Sequence, residues 1–491
     1  IDRRDRARVG APIKALEPVH AMTAPPQARR RWPTRVAYIA ISLLLPAALW
    51  LLPPPSGLGT TGWHVVLVML GGAIAWLLEP VPDFAVALAM AAAWMAAAGA
   101  APALVFSGFT SSAWVTAVAA LGITAAMGAS GLLFRASLLM RRIFPATHRG
   151  QLFALLVTGM VLTPLAPTVF GRVAMTAPIA RDLAQVLGHA KKTRASAAVA
   201  FAGVLGSTIL GPVFLTGLIT NFLILSLLPP SEQARFGWAG WLIAALPAGL
   251  LMFTGAAVVL VALEPRTGMR ASSVVRRTQE HSIGRLSRHE KASLLAIGVF
   301  IVGFLFQPLL RVDIAAIALM SLLAAIGGGA LDRQTFRSGI DWATVVLFGV
   351  LLGAGGVLRY GGADRWIGDL ITPMARSVNN PALAILLLSL LVIVVRLALP
   401  MVPAAFLLLV ALVPAAPHLG LSGWVVGFVV SAGVLTWVLP RQYEVLRMVR
   451  EMTDDALFSD RQALAVGMSI TAIVLVTMLI CVPYWRAIGI L

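Results

Sequence analysis

The chain has 491 residues, 59% of them hydrophobic and only 12% charged, with a net charge of +18 and a mean hydropathy of +0.90. Soluble domains carry about 25% charged residues, so a set of soluble domains is excluded and one membrane-embedded, all-α polytopic body is expected. One cysteine, Cys481, excludes a disulfide framework and a cysteine-based metal site.

Residues 1–35, rich in Arg and Pro (Arg3, Arg4, Arg6, Arg8, Arg29, Arg30, Arg31), lack the apolar core and cleavage site of a signal peptide. They read as a disordered, basic cytoplasmic tail. Apolar runs then predict helices over 36–54, 63–80, 83–105 and 113–134. Four crossings from a cytoplasmic start return the basic stretch Arg135 to Arg149 to the cytoplasm, where positive charge belongs. Residues 151–180 hold Pro164, Pro167 and Pro178 and have basic flanks on both sides, so they predict a re-entrant hairpin rather than a span. Residues 195–228, with Gly206, Gly211 and Pro212, predict a crossing broken in its middle.

A span at 238–263 closes the N-terminal half, 36–263, and leads into a basic cytoplasmic linker, 264–292. The C-terminal half, 293–491, repeats the plan. Spans are expected at 293–306, 313–331 and 343–358, a second hairpin at 382–416, a broken helix at 422–441 and a last span at 464–485. The total is about eleven transmembrane helices plus two hairpins. Pro164, Pro167, Phe170, Pro178 and Ala180 recur at one offset as Pro400, Pro403, Phe406, Pro414 and Ala416. Ala202-Gly203-Val204-Leu205 recurs as Ala432-Gly433-Val434-Leu435. The charge pattern sets the two copies in opposite orientations, an inverted repeat of the kind that houses a midplane solute site in secondary transporters. The basic residues do not interleave with aromatics, so the expected partners are the lipid bilayer and a small anionic solute, not nucleic acid.

Few ionisable groups fall inside the apolar body. Arg172, in the first hairpin, and Arg396, in Leu-Val-Ile-Val-Val-Arg-Leu-Ala-Leu-Pro, each need a partner or a wet cavity. A carboxylate or sulfate could supply bidentate acceptors; a lipid interface or a helix C-terminus is the blander alternative. Thr163 and Thr168 flank the prolines of the first hairpin, while Ser207, Thr208, Thr216, Thr220 and Asn221 line the broken helix. Half-helix N-termini suit an anion, although hydroxyls at such breaks also satisfy freed carbonyls. Glu79 reads as a helix-end anchor. Gly128-Ala129-Ser130-Gly131, with His418 as an imagined base, matches a short intramembrane-protease pattern, but its counterpart in the second half carries Gly355 in place of the serine. Close packing explains it better, and no enzyme is expected.

Four segments then carry a family resemblance. They are Trp76-Leu77-Leu78-Glu79-Pro80-Val81-Pro82, Phe109 to Phe134, Phe214-Leu215-Thr216-Gly217-Leu218-Ile219-Thr220-Asn221, and Asp341-Trp342 through Leu347-Phe348-Gly349. In order and spacing the chain resembles the divalent-anion:sodium symporter (DASS) family of di- and tricarboxylate and sulfate transporters. The resemblance implies a homodimer with a scaffold domain and an elevator-type transport domain. It implies secondary transport by alternating access, with Arg172 where exchanger members place an arginine. The family's hairpin tips carry Ser-Asn-Thr motifs that hold carboxylate and sodium. Here the matching positions read Pro167-Thr168-Val169-Phe170 and Pro403-Ala404-Ala405-Phe406, which removes the side-chain oxygens a hard cation would use.

The expected site is therefore Thr168, Arg172, Thr216 and Asn221 from the first half, with Arg396, Pro403 and Ala404 from the second. No cofactor is expected; the coupling ion is open between Na+ and H+, and the degenerate tips argue against Na+. The expected location is a bacterial inner membrane with the N-terminus in the cytoplasm. Two alternatives stay open: an exporter of a larger, more apolar solute on the same fold, and a transport-inactive scaffold or receptor working through its tail and linker.

Overall fold

The computed structural model describes residues 32–264, 284–376 and 380–491. Most of the predicted tail, and the linker from residue 265 to 283, lie outside these. The last residues assigned to the tail open the first helix, Trp32–Trp50, and the last residues assigned to the linker open Arg288–Leu310. Ser287 and Glu290 form a capping box at that second start.

Among the described residues every regular element is an α-helix or a short 3-10 turn. Nine helices are long and apolar enough to cross a membrane, and four shorter apolar helices accompany them. The chain is a multi-pass membrane protein. Leu250, Val258, Leu323 and Val394 each leave 60% or more of their surface uncovered, as a lipid-facing surface does. Cys481 is buried.

Unbroken spans fall close to their predicted positions: Thr60–Leu78, Asp83–Ala97, Ser112–Ser130, Trp238–Leu263, Ile314–Gly327, Trp342–Gly361 and Asp460–Ile480. Glu79 caps the end of Thr60–Leu78 in a left-handed conformation, with φ of 49°. The proline-rich segments are interrupted as expected. His148–Leu162 and Val169–Val186 flank a break at residues 163–168; Arg194–Thr208 and Ile219–Leu227 flank two 3-10 turns. In the second half Pro381–Ala398 and Met401–Leu412 flank Leu399 and Pro400.

One boundary needs correction, and two helices went unmarked. The second broken helix does not end at 441: its first arm is Gly423–Val434, and its second arm is Glu444–Met452, beyond the predicted boundary. The basic stretch from Arg135 begins inside a helix, Leu132–Ile143. Ala363–Arg376 is a further helix that the apolar runs did not mark. All three have charged residues on one side and apolar residues on the other, a pattern that breaks an apolar run without breaking a helix.

The helices pack in two groups. One comprises Trp32–Trp50, Thr60–Leu78, Asp83–Ala97, Ser112–Ser130, Arg288–Leu310, Ile314–Gly327 and Trp342–Gly361. The other gathers the interrupted helices: His148–Leu162 and Val169–Val186 pack on Arg194–Thr208, Pro381–Ala398 and Met401–Leu412 on Gly423–Val434, and Glu444–Met452 on Val169–Val186. Trp238–Leu263 and Asp460–Ile480 pair along the same group. Lipid tails are as apolar as leucine, so these contacts depend on close backbone approach rather than on exclusion of water. A Cβ on Gly159 would stand 2.2 Å from the backbone carbon of Gly206, and one on Gly206 would stand 2.5 Å from the Leu156 carbonyl oxygen.

Candidate functional site

Every interruption frees backbone carbonyls, and buried carbonyls without donors are costly. The sequence answers this with a few polar side chains inside the interrupted group. Arg172 sits one turn into Val169–Val186 with 0% of its surface exposed. Its Nε donates to the Ser207 carbonyl at 2.7 Å, and its Nη1 donates to the carbonyls of Ala166 and of Gly217, the latter at 2.7 Å. Those three oxygens belong to the break at residues 163–168, the end of Arg194–Thr208 and the 3-10 turns beyond it. One guanidinium therefore ties both interruptions of the first half together. Its Nη2 is sealed from solvent and has no hydrogen-bond partner.

Thr168 is the N-cap of Val169–Val186, its Oγ1 accepting from the Gly171 amide at 3.2 Å. Thr216 donates to the Pro164 carbonyl at 2.8 Å, and the Ile219 amide donates to Pro167 at 3.1 Å. Asn221 donates from Nδ2 to the carbonyls of Gly211 and Phe214 at 3.0 and 2.8 Å, and Ser431, on the broken helix of the second half, donates to its Oδ1. Thr168, Arg172, Thr216 and Asn221 thus converge on one junction. All four act on the backbone there, which is the structural role the sequence left open beside the solute-binding one.

The second-half residues form a neighbouring junction. Arg396 is 6% exposed; its Nε donates to the Val434 carbonyl at 3.1 Å and its Nη1 to Leu399 at 2.6 Å. It does for the break at Leu399 and Pro400 and the end of Gly423–Val434 what Arg172 does in the first half, although the two arginines are not at equivalent repeat positions. Pro403 and Ala404 are buried in the first turn of Met401–Leu412 and present only carbon.

Two residues absent from the sequence-based site lie between the junctions. Tyr443 is 0% exposed, stacks on Trp437 with ring centres 4.8 Å apart, and interacts with the Thr208 side chain. It stands in the electrostatic field of both Arg172 and Arg396. Glu444 accepts the Met401 amide on Oε1 at 3.3 Å, so a carboxylate closes the N-terminus of the helix after the second break. A narrow cleft lined by Arg396, Thr436, Trp437 and Gln442, with apolar Ile393, Leu397, Val438 and Leu439, opens beside them. The signal that could have found this pair was an acidic residue four past Pro440, inside a segment whose counterpart is a broken helix.

The protease-like serine has a different setting. Ser130 donates to the Met127 carbonyl at 3.1 Å and accepts from Ser293 at 3.0 Å, a packing contact between helices.

Comparison with known proteins places the fold and the family. A protein of Cupriavidus necator described as a membrane protein is 22% identical over 96% of this chain and 95% of its own length. The putative malate transporter YflS of Bacillus subtilis is 22% identical over 71% of this chain and 74% of its own. Among solved structures, the Alcanivorax borkumensis YdaH transporter superimposes with a TM-score of 0.54 at 16% identity, covering 78% of this chain and 87% of that one. That likeness shows the fold. The family described as the sodium:sulfate symporter transmembrane region matches residues 32–491, and the chain therefore belongs to this family, the divalent-anion:sodium symporters.

Proposed function

We propose that the chain is a secondary transporter of small dianions, of the dicarboxylate or sulfate class, working by alternating access at the junction of its broken helices. The observation that carries this reading is the buried Arg172 Nη2, two N–H donors without acceptors at the point where the first-half interruptions meet. A carboxylate or sulfate oxygen is the acceptor a guanidinium edge fits, and the N-terminus of Val169–Val186 adds a positive dipole end beside it. The family and the putative malate transporter among the relatives point to the same solute class.

In this proposal the two hairpins enter from opposite faces, and the interrupted group moves as an elevator against the other group, the scaffold, in a homodimer. The separate packing of the two groups supports that division. The chain would lie in a bacterial inner membrane with its N-terminus in the cytoplasm. Coupling would not use sodium at the hairpin tips, because Ala404 offers no side-chain oxygen and the Thr168 hydroxyl already serves as a cap.

Purified protein reconstituted into vesicles loaded with succinate, citrate or sulfate is expected to exchange labelled anion from outside. Absence of exchange with all three would remove the anion-carrier reading. A second reading, an exporter of a larger and more apolar solute, draws on the carbon-lined second tip formed by Met401, Pro403, Ala404 and Phe406, all buried. Thermal stabilisation by apolar organic solutes but by none of the anions would favour it.

A further inference from the structure

Glu444 is the acidic side chain that reaches into the junction from its own broken helix, and its position is unusual. Oε1 accepts the Met401 amide at 3.3 Å, while Oε2 is sealed from solvent and has no hydrogen-bond partner. The carboxylate lies in the field of Arg396, on Pro381–Ala398, and of Arg447 on its own helix. From the other helix group Asp83, at the start of Asp83–Ala97, feels the Glu444 charge, with Glu79 behind it. Tyr443, the preceding residue, is buried, interacts with the Thr208 side chain and stands in the field of Arg396 and, more weakly, of Arg172. The carboxylate thus already occupies the N–H and guanidinium field that a solute anion would need at the second tip.

A solute dianion and an ionised Glu444 cannot share that field, because like charges at close range in a water-poor interior strongly oppose joint ionisation. Protonation resolves the conflict. A proton from the bulk forms an O–H bond on Glu444, the Met401 amide is released to the incoming anion, and Arg396 faces one anion rather than two. When the anion leaves on the other side, the proton leaves with it and the carboxylate closes the helix N-terminus again.

We propose that Glu444 is a proton-carrying carboxylate that holds the second-half anion position in the empty transporter, so that each anion crosses together with a proton. The inference rests on the anion-transport reading above and adds its coupling ion and the residue that binds it.

The test uses full-length protein in sodium-free vesicles with a pH dye inside and the membrane potential clamped, with radiolabelled sulfate or succinate outside. Anion entry should acidify the interior. With one proton per anion, an inward gradient of one pH unit should give about tenfold accumulation of the anion. In Glu444→Gln the pH dependence of uptake should vanish and gradient-driven accumulation should fall below about twofold. Should that variant fail to fold, Glu444→Asp retains an acid that is one methylene shorter; accumulation should persist with a displaced pH midpoint, and an unmoved midpoint overturns the assignment. Wild-type anion entry without acidification, or Glu444→Gln accumulating anion like the wild type, also overturns it while leaving the transport reading intact. Absence of anion exchange by the wild type removes both.

Discussion

Ser431 donates a hydrogen bond to Oδ1 of Asn221 at 3.4 Å, joining the broken helices of the two halves at their interruptions. The same amide donates from Nδ2 to the carbonyls of Gly211 and Phe214. Asn221→Leu keeps the volume and strands both carbonyls, at about 1–3 kcal/mol each. Its melting temperature in detergent should fall clearly below wild type. Ser431→Ala removes only the long contact and should cost under about 1 kcal/mol. Equal melting of the two variants would show that Asn221 does not hold the break.

Arg172→Lys keeps the charge and removes the fork. A single ammonium cannot reach the carbonyls of Ala166, Ser207 and Gly217 together from that position. A loss of about 3–5 kcal/mol, typical of a buried charge deprived of its partners, is expected. Arg172→Gln should fare no better, so loss of uptake in that variant has meaning only if folded protein is recovered. Wild-type thermal stability in Arg172→Lys would show that the charge alone is enough.

Gly206→Ala places its Cβ 2.5 Å from the Leu156 carbonyl oxygen, and Gly159→Ala places its Cβ 2.2 Å from the Gly206 backbone. Both should force the packing of His148–Leu162 on Arg194–Thr208 apart, costing about 1–3 kcal/mol or more. Gly128→Ala meets nothing within 4 Å in the last turn of Ser112–Ser130 and should be neutral or stabilising by up to about 1 kcal/mol. Thermal unfolding of the three side by side is the check.

One source of pH dependence outside the spans is a histidine pair. His189 Nε2 lies 3.2 Å from His148 Nδ1, and burial, together with the His148 charge, pushes the His189 pKa from 6.5 down to about 4. The unfolded chain therefore takes up a proton on acidification that the folded chain refuses. Stability is full above about pH 7 and is lost as pH falls from 6.5 toward 4. His189→Gln should flatten the melting temperature over that window; an unchanged slope would exclude this histidine as the source.

Span positions were legible because a bilayer demands an apolar length, and Trp238–Leu263 falls where 238–263 was predicted. Pro164, Pro167, Gly211 and Pro212 marked the first-half breaks, since proline and glycine interrupt a helix by their own chemistry. Leu132–Ile143 and Glu444–Met452 were hidden because their charges end an apolar run. The buried polar residues of the junction stood out one by one, but not their connections. Nothing local in the sequence says that Arg172 reaches Ser207 and Gly217, 35 and 45 positions away, instead of reaching only outward to a solute. Glu444 went unseen for the same reason: its partner, the Met401 amide, is 43 residues earlier and is set by packing between repeats.

The solitary thiol of Cys481, shut inside the helix bundle, makes the native chain a silent background for maleimide reagents. Cysteines introduced one at a time along the interrupted segments could then be scored for reactivity from either side of sealed vesicles without first stripping the protein of its own sulfur. Paired positions on the two helix groups could likewise be crosslinked, so that the elevator displacement proposed above becomes a measurement.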